Sequence, residues 1–331
     1  MKIGVVGSGK IVNEMLKMQQ SEKCLEVTAL CVRPHSEEKG KALAAEYQIP
    51  GLYVCYEEFL ADPEVEIVYL GIVNSAHYEY ARKALEAGKH VILEKPFTCR
   101  AWEARELAKL AERKALFLFE AITILHLPNY RLIRDELLER LGQIRLIQCN
   151  FSQYSSRYDR YLAGQVLPCF DPAIYGGALY DLNIYNFHFV AGLFGKPDRI
   201  SYCPNLGFNG VDLSGAAVLQ YPDFTAVCSA AKDSASESFA MIQGEKGYLK
   251  VPGVPSQCLE IQVQIRGGEP DHRNVNRPGH RMREEFLAFE KMFREGDREQ
   301  GRRLLEHSLC VMEILEQARE SAGLEYGKNR Q

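Results

Sequence analysis

The chain has 331 residues, of which 46% are hydrophobic and 25% are charged, and 40 basic against 44 acidic side chains leave a net charge of −4. This ordinary globular composition excludes disordered, collagen-like and low-complexity proteins, and the weakly acidic balance argues against a nucleic-acid partner. No run approaches the roughly 20 apolar residues that span a bilayer, so no membrane partner is expected. The length predicts two domains.

The cysteines and the first residues of the chain indicate the cellular compartment. Ten cysteines are scattered along the chain without a C-x-x-C pair, and several lie in apolar runs such as LIQCNF. Because cysteine in such runs behaves as a small hydrophobic residue, we expect reduced buried thiols and no metal site. The sequence begins directly with a strand, MKIGVVG, and no signal peptide precedes it, so we expect a cytoplasmic protein.

The first third of the chain alternates short apolar runs with helical stretches. Fully apolar strands between amphipathic helices are typical of a parallel sheet covered on both faces. We therefore predict an α/β fold with a doubly wound, dinucleotide-binding domain of the Rossmann type over residues 1–121. The predicted strands are Ile3–Val6, Val27–Val32, Ile67–Ile72, His90–Leu93 and Leu116–Phe119, and the predicted helices are Lys10–Gln20, Glu37–Tyr47, Ala76–Ala87 and Ala101–Arg113.

After about residue 122 the pattern changes to strands joined by hairpin-length links. Such links indicate an antiparallel sheet, so residues 122–331 are predicted to form an α+β domain for substrate binding and oligomerisation, with an open, mainly antiparallel sheet. The predicted strands are Arg145–Phe151, Arg199–Cys203, Ala216–Tyr221, Thr225–Ala230, Phe239–Gln243, Tyr248–Val251 and Leu259–Ile265, and the predicted helices are Asn129–Leu141, Gly177–Leu193, Arg281–Arg294 and Gly301–Ala322.

A glycine-rich turn follows the first predicted strand and opens a helix. Gly7 permits the tight turn, and Gly9 lets the backbone approach a pyrophosphate at the helix N-terminus. The third small residue of a dinucleotide fingerprint is replaced by Val12, and an ordinary strand-to-helix turn is the alternative. The turn's predicted cofactor-binding residues are Gly7, Ser8, Gly9, Lys10 and Ile11.

The end of the second predicted strand bears on which dinucleotide is bound. Sites for NAD place an acidic residue there, where it bonds the ribose 2′-hydroxyl. The sequence instead reads LCVRP, and Arg33 stands where a guanidinium could pair with a 2′-phosphate. NADP is therefore favoured over NAD, and a solvated arginine without a ligand is the alternative.

Two further strand ends carry polar residues. The strand ending at residue 93 delivers Glu94-Lys95-Pro96, and ligands of open parallel sheets bind beyond such carboxyl ends. This places Lys95 toward the predicted site, with Pro96 able to occupy a cis bond. Upstream, Asn74 is predicted to cap a helix, and His77 lies in its first turn, in either a structural or a cofactor-binding role.

A helix of the second domain carries a polar stripe. Asp181, Tyr185 and His188 fall at i, i+4 and i+7 on an otherwise apolar helix. Polar groups on such a face need partners, so the stripe indicates either a catalytic site or a satisfied hydrogen-bond cluster.

Four of these motifs together resemble the glucose-fructose oxidoreductase/inositol dehydrogenase (Gfo/Idh/MocA) family over nearly the whole chain. They are Gly7-x-Gly9, Asn74-x-x-His77, Glu94-Lys95-Pro96 and Gly176-Gly177-Ala178-Leu179-x-Asp181. One departure is Val73, where many members carry proline. The resemblance implies an oxidoreductase with bound NADP or NAD, and a homo-oligomer, dimeric or tetrameric, formed through the C-terminal sheet.

The resemblance also implies roles for the polar residues. Many members carry histidine as the acid/base where this chain has Tyr185. Tyr185 would move the proton, Lys95 would polarise the substrate oxygen, and Asp181 would orient a substrate hydroxyl. His188 is the competing acid/base or a substrate contact. These roles require groups from both domains to meet at one nicotinamide ring. Cofactor contacts are expected from Asn74, His77, Glu94 and Lys95 as well as from the glycine-rich turn and Arg33.

A loop beside the polar helix offers substrate contacts. Arg157 and Tyr158 could grip a polyhydroxylated or anionic small molecule, or they could belong to an ordinary polar surface loop. The resemblance implies an NAD(P)-dependent dehydrogenase or reductase that interconverts an alcohol and a carbonyl on a sugar, cyclic polyol or diol. The alternatives are a redox-assisted NAD-dependent glycosidase and a non-catalytic protein that senses cofactor or sugar.

Overall fold

The computed structural model describes residues 1–327, which form two compact units. The first unit contains Met1–Ile122 and Pro278–Leu309, and the second contains Thr123–Arg277 and residues 310–327. The sequence predicted two consecutive domains, 1–121 and 122–331. The structure differs from this prediction because residues 278–309 belong with the N-terminal unit.

The returning segment belongs to the first unit because its helix, Arg283–Glu295, buries aromatic side chains there. Phe286 and Phe289 are both fully buried. The Phe289 ring stacks on Phe119 with a centroid distance of 4.7 Å, and Phe286 meets Tyr69 edge-on at 5.7 Å. An amphipathic pattern reveals that a helix has an apolar face but not which sheet covers it. The sequence therefore could not assign this helix to a unit.

The first unit is built on a parallel sheet, as predicted, and the sheet has six strands where five were predicted. Its strands are β1 (Lys2–Val6), β2 (Glu26–Cys31), β3 (Gly51–Tyr53), β4 (Ile67–Leu70), β5 (His90–Glu94) and β6 (Leu118–Ala121). Its helices are α1 (Lys10–Glu22), α2 (Glu37–Glu46), α3 (Tyr56–Ala61), α4 (His77–Glu86), α5 (Ala101–Arg113) and α10 (Arg283–Glu295), and α11 (Arg298–Ser321) begins in it.

The strand order in this sheet is β3-β2-β1-β4-β5-β6. The chain reverses its direction of winding between β1 and β4, and ligands of open α/β sheets bind at such a switch point. Most buried strand residues are apolar because helices cover both faces, and the exceptions are Thr28, Glu94 and Glu120. The short strand β3 and helix α3 were not predicted, since three half-buried residues give no apolar run.

The second unit contains an eight-stranded sheet, also confirming the predicted architecture. Its strands are β7 (Ile144–Ser152), β8 (Arg199–Leu206), β9 (Asp212–Gln220), β10 (Thr225–Ala231), β11 (Phe239–Gly244), β12 (Gly247–Pro252), β13 (Ile261–Ile265) and β14 (Asp271–Arg273). Its helices are α6 (Pro128–Leu132), α7 (Leu138–Arg140), α8 (Tyr158–Leu162) and α9 (Ile184–Phe194).

The order in this sheet is β14-β13-β12-β11-β7-β10-β9-β8. The sheet is mainly antiparallel, with β7 and β10 running parallel at its centre. Two helices predicted in this unit each contain a π-helical turn: Ile133–Leu137 lies between α6 and α7, and Leu179–Asn183 directly precedes α9. Single π-helical turns occur frequently at functional sites, and the second of these contains Asp181.

Membrane-spanning helices and clusters of metal-ligating side chains are both missing from the described part of the chain. Within residues 1–327, no helix has the length and apolarity needed to cross a membrane. Over the same residues, no group of three or more metal-ligating side chains comes together.

Candidate active site

A cleft of about 1080 Å³ lies at the carboxyl ends of β1, β2 and β4 in the first unit. It stands at the switch point of the sheet, where a dinucleotide is expected. Five of the predicted cofactor residues line it: Gly7, Ser8, Gly9, Ile11 and Arg33. The other five do not belong to its lining: Lys10, Asn74, His77, Glu94 and Lys95.

The glycine-rich turn has the backbone geometry that a phosphate group needs. Gly7 has a positive φ of 114°, and a Cβ there would overlap the carbonyl oxygen of Gly71. Around Gly9, the residue before α1, a Cβ would meet no atom within 4 Å. The turn therefore leaves open space directly before a helix N-terminus, where amide groups and the helix dipole favour an anion. This part of the cleft fits the pyrophosphate of a dinucleotide.

Val12 is accommodated in the place of the small third residue of the fingerprint. Its side chain is fully buried, and it lies against Gly71 just beyond β4. A Cβ at Gly71 would be only 2.6 Å from Val12 Cγ2. Gly71, at the end of the neighbouring strand, therefore provides the space that a small residue at position 12 would otherwise provide. Helix and strand can pack closely with valine at position 12.

The end of β2 presents cations to the cleft. Arg33 is exposed and lines it, as predicted, and so do Ser36 and Lys39, which the sequence reasoning missed. These two residues follow Arg33 within six positions, on a 3₁₀ turn (Pro34–Ser36) and the first turn of α2. Their short distance in sequence from the end of β2 could have identified them as cleft residues.

His77 contacts two backbone carbonyl groups of the first unit. It is fully buried, and burial lowers the pKa of its imidazole. Its Nδ1 lies 2.8 Å from the carbonyl oxygen of Pro96 and its Nε2 lies 3.3 Å from that of Ile72, so it ties together the loops after β4 and β5. The predicted cap at Asn74 is wrong: Asn74 opens a 3₁₀ turn, and Ala76 precedes α4. The added turn separates Asn74 from the helix it was expected to cap.

Glu94 and Lys95 are neighbours in the sequence but differ in burial. Glu94 is 6% exposed, burial raises the pKa of its carboxyl, and its Oε1 accepts a 2.6 Å hydrogen bond from the hydroxyl of Tyr69. Lys95 is half-buried and precedes a cis Pro96. The next backbone amide, that of Phe97, donates to the carboxylate of Glu120 at 2.9 Å. The backbone amide of Lys95 also donates to Glu94 Oε2 at 3.3 Å, so buried carboxylates of β5 and β6 both bond to the loop that carries Lys95.

In the second unit, the start of the polar helix is anchored by Asp212. The Oδ2 atom of this fully buried residue accepts from the amide of Leu179 at 2.6 Å and from the hydroxyl of Tyr202 at 2.7 Å. The hydroxyl of Tyr326 donates to its other oxygen. A Cβ at Gly177 would collide with the same carboxylate. Burial raises the pKa of Asp212 to about 6. Position 177 must therefore be glycine because a larger residue would collide with Asp212, which lies 35 residues away in the sequence.

Asp181 forms an ion pair that the sequence did not reveal. Its Oδ2 lies 2.7 Å from the Nζ of Lys232, whose side chain is 2% exposed whereas that of Asp181 is 39% exposed. The same ammonium donates to the carbonyl oxygen of Cys169 at 2.7 Å and lies 4.8 Å from the ring centroid of Phe170. Lys232 follows a strand in an exposed-looking polar run, KDSASES, which gives no signal of burial.

Tyr185 lies one turn after Asp181 and is half-buried. Its ring packs against Phe151 of β7 with a centroid distance of 5.7 Å. The helix is fixed to β10 by two buried amides: Asn183 donates to the carbonyl oxygen of Cys228 at 3.0 Å, and Asn186 donates to that of Ser229 at 2.9 Å. These bonds set the rotation of the helix and leave Asp181 and Tyr185 partly exposed together.

The remaining predicted residues of this unit are arranged differently. His188 is fully buried, which removes it from contact with solvent and does not favour it as an acid/base or a substrate contact. Arg157 is exposed on its loop. Tyr158 is half-buried, with its ring 5.9 Å from that of Phe170, the residue beneath Lys232. The stripe predicted from spacing thus contains two accessible residues rather than three.

Comparison with known proteins identifies both parts of the chain. Residues 1–121 match the model of an oxidoreductase family with an NAD-binding Rossmann fold, and residues 135–250 match the GFO/IDH/MocA C-terminal domain. Together these matches cover more than half of the sequence.

Two relatives are similar over the whole length. The chain is 29% identical to scyllo-inositol 2-dehydrogenase (NADP(+)) IolU of Bacillus subtilis, a match that covers 98% of both chains. It is 30% identical to trans-1,2-dihydrobenzene-1,2-diol dehydrogenase of Macaca fascicularis, over 99% of this chain and 98% of the relative. Among solved structures, a levoglucosan dehydrogenase in complex with NADH and levoglucosan has the same fold, with a TM-score of 0.85, 17% identity, and 98% and 97% of the two chains covered.

Proposed function

Because the chain belongs to the Gfo/Idh/MocA family of oxidoreductases, we propose that it interconverts an alcohol and a carbonyl on a sugar, a cyclic polyol or a diol. It is an NAD(P)-dependent oxidoreductase that acts on CH–OH groups. The observation that carries the substrate class is the full-length similarity to dehydrogenases of a cyclic polyol and of a ring diol.

The cofactor of this reaction is a nicotinamide dinucleotide, and we propose NADP. The pyrophosphate fits the open turn at Gly9, and the 2′-phosphate would be held by Arg33 and Lys39, with Ser36 as a hydrogen-bond donor. The B. subtilis relative uses NADP(+) by name, which agrees with this preference. When bound in this cleft, the nicotinamide would supply hydride transfer to and from the substrate carbon.

The protein's own residues would handle the proton and the substrate oxygen. In the reduction, the phenol of Tyr185 donates a proton to the carbonyl oxygen, and in the oxidation the phenolate form of Tyr185 takes the hydroxyl proton. Lys95 polarises that oxygen, and Asp181 accepts a hydrogen bond from a neighbouring hydroxyl and so orients the ring. Support comes from the partial exposure of Asp181 and Tyr185 on one helix face and from the buried carboxylates that hold the Lys95 loop.

We also propose that two or four copies associate through the outer face of the second sheet. On that face Val218, Val227 and Met241 are half-exposed beside Gln148, while alternate residues of the same strands are buried. A half-exposed apolar sheet face is suited to an isologous contact with a second copy. Light scattering of the wild type and of Val227→Glu tests this proposal. A smaller assembly is expected for the variant, whereas a monomeric wild type would contradict it.

The substrate class is tested by incubating the protein with NADP or NAD and a panel of scyllo-inositol, trans-1,2-dihydrobenzene-1,2-diol and levoglucosan. Formation of reduced cofactor, followed by its absorbance, is the expected result for at least one compound. Tight cofactor binding without turnover across a broader set of sugars, polyols and diols would instead favour a sensor. Glycoside cleavage without net formation of reduced cofactor would favour the glycosidase.

A further inference from the structure

Lys232 is an almost wholly buried cation in the second unit. Its side chain is 2% exposed, and its ammonium contacts the carboxylate of Asp181 and the carbonyl oxygen of Cys169, both at 2.7 Å. Removing an ammonium from water is very unfavourable unless it is paired and hydrogen-bonded. Both conditions are met here, so the buried charge is held by two defined partners.

The backbone of Lys232 is fixed as firmly as its side chain. Its amide donates to the carbonyl oxygen of Leu213 at 2.8 Å, and its carbonyl oxygen accepts from the amide of Ser155 at 2.9 Å. Lys232 directly follows β10, so the strand, its neighbour and the loop that leads to α8 all determine where the ammonium lies. The ion pair therefore places Asp181 relative to a rigid sheet rather than to a mobile surface.

This arrangement is unusual for a residue that serves stability alone. Replacing a buried ion pair by apolar residues of similar volume is often neutral or stabilising, so such a pair is weak support for a fold. Here one partner is buried and the other is 39% exposed beside Tyr185. The asymmetry means that the buried cation acts on a carboxylate that a ligand can reach.

We propose that Lys232 is a positioning residue for Asp181, setting the orientation and negative charge of the carboxylate that aligns the substrate hydroxyl. This inference rests on the proposed function, in which Asp181 accepts that hydroxyl. Through Cys169, the same ammonium joins the polar helix to the 3₁₀ turn Pro168–Phe170, whose Phe170 ring packs against Tyr158. Lys232 thus links Asp181 to the loop region that carries the predicted substrate contacts.

The proposal is tested by a double-mutant cycle between the two residues. Lys232→Met removes charge and hydrogen bonds, Lys232→Gln keeps donors but removes the charge, and Asp181→Asn removes the carboxylate. kcat and KM are measured with scyllo-inositol, trans-1,2-dihydrobenzene-1,2-diol and levoglucosan, and NADPH affinity and Tm are measured separately. Lys196→Met is the matched control, because Lys196 pairs with Glu313 at 2.5 Å in the same unit and is 45% exposed.

We expect Lys232→Met to lower kcat/KM about tenfold and Lys232→Gln to lower it less, with NADPH affinity unchanged. In the Asp181→Asn background, either substitution should change kcat/KM by less than about twofold, because Lys232 then has no carboxylate to position. A purely structural lysine would lower Tm and give additive effects. If Lys232→Met does not fold, Lys232→Gln and the doubly neutral Asp181→Asn/Lys232→Met protein complete the cycle.

The outcomes separate this inference from the proposed function. Additive losses in an active enzyme, or wild-type kinetics for Lys232→Gln and Lys232→Met, would overturn the role of Lys232 and leave the oxidoreductase activity standing. A wild type that binds cofactor but turns over no compound of the broader set of sugars, polyols and diols would remove the proposed function, and the role of Lys232 would be lost with it.

Discussion

In the first unit, Gly7, Arg33 and Lys95 each lie within two residues of the carboxyl end of a parallel strand. In the second unit, the polar helix is held by partners far away in the sequence: Lys232 lies 51 residues from Asp181, and Asp212 lies 33 residues from Leu179. Parallel strands share one direction, so their ends bring successive loops to a common edge. No comparable regularity places the polar side chains of a helix that packs on a mixed sheet. Each of these side chains needs its own partner. In the first arrangement the strand ends determine where each residue lies, whereas in the second each position depends on a specific partner.

The largest expected effects come from removing one proposed reacting group from each unit. Tyr185→Phe and Lys95→Ala should each lower kcat at least about 100-fold, because the proton acceptor or the polarising charge is lost. NADPH affinity, measured by fluorescence, should persist in both variants. Tyr248→Phe, a substitution of a 43% exposed tyrosine on β12, is the control and should retain wild-type turnover. Near-wild-type kcat in either test variant would remove the substituted residue from the proposed reaction.

The dependence of the second unit on specific pairs is tested at Tyr326. Burial raises the pKa of Asp212 to about 6, so its carboxyl is neutral below that pH and charged above it. A hydrogen bond to a charged group stabilises by about 1.5–3 kcal/mol, and a neutral one by about 1 kcal/mol. Tyr326→Phe should therefore reduce the free energy of unfolding by about 2 kcal/mol at pH 7.5 and by about 1 kcal/mol at pH 4.5.

The sign of the wild-type contribution of Asp212 follows from the raised pKa. The pKa of Asp212 is higher in the folded state than in the unfolded state. Protonation of Asp212 therefore contributes fully to the free energy of unfolding below about pH 4, and this contribution is lost as the pH rises through about 6. Denaturant unfolding of wild type and Tyr326→Phe across this range measures the difference between them. A difference that does not change with pH would contradict the assignment of the bond to the titrating carboxyl.

A moderate effect is expected at the strand end that carries Arg33. Arg33→Ala should weaken NADPH binding about tenfold and NADH binding by less than twofold, because only NADPH has a 2′-phosphate to pair with the guanidinium. Lys39→Ala should give the same pattern. Lys41→Ala is the control, since Lys41 lies on the same helix but pairs with Glu38 at 2.8 Å. Equal losses for both cofactors would remove the preference for NADP.

The smallest expected effect tests how the first unit tolerates its unusual turn. Gly71→Ala should lower stability because the new methyl group would be 2.6 Å from Val12 Cγ2. In a Val12→Ala background the same substitution should cost about 1 kcal/mol less, which denaturant unfolding would show as coupling. Fully additive losses would mean that Gly71 serves a purpose other than making room for Val12.

The sequence located some residues well and others poorly, for a physical reason. The turn at Gly7 and Gly9 and the cation at Arg33 could be placed because apolar runs mark strands and their ends mark the binding edge. Asn74 was misplaced because a 3₁₀ turn adds one step between strand and helix. His188 was grouped with Asp181 by spacing alone, but the packing of the helix buries it.

By itself, the sequence determined the two architectures, the family and the strand-end residues of the cleft, because hydrophobic periodicity and short motifs are local properties of the chain. Only the tertiary structure decided that helix α10 packs on the first unit, that Gly177 must yield space to Asp212, and that Lys232 is buried beneath Asp181. These are contacts between segments distant in the chain. Whether a polar side chain is buried against such a partner depends on the packed fold, which no local pattern records.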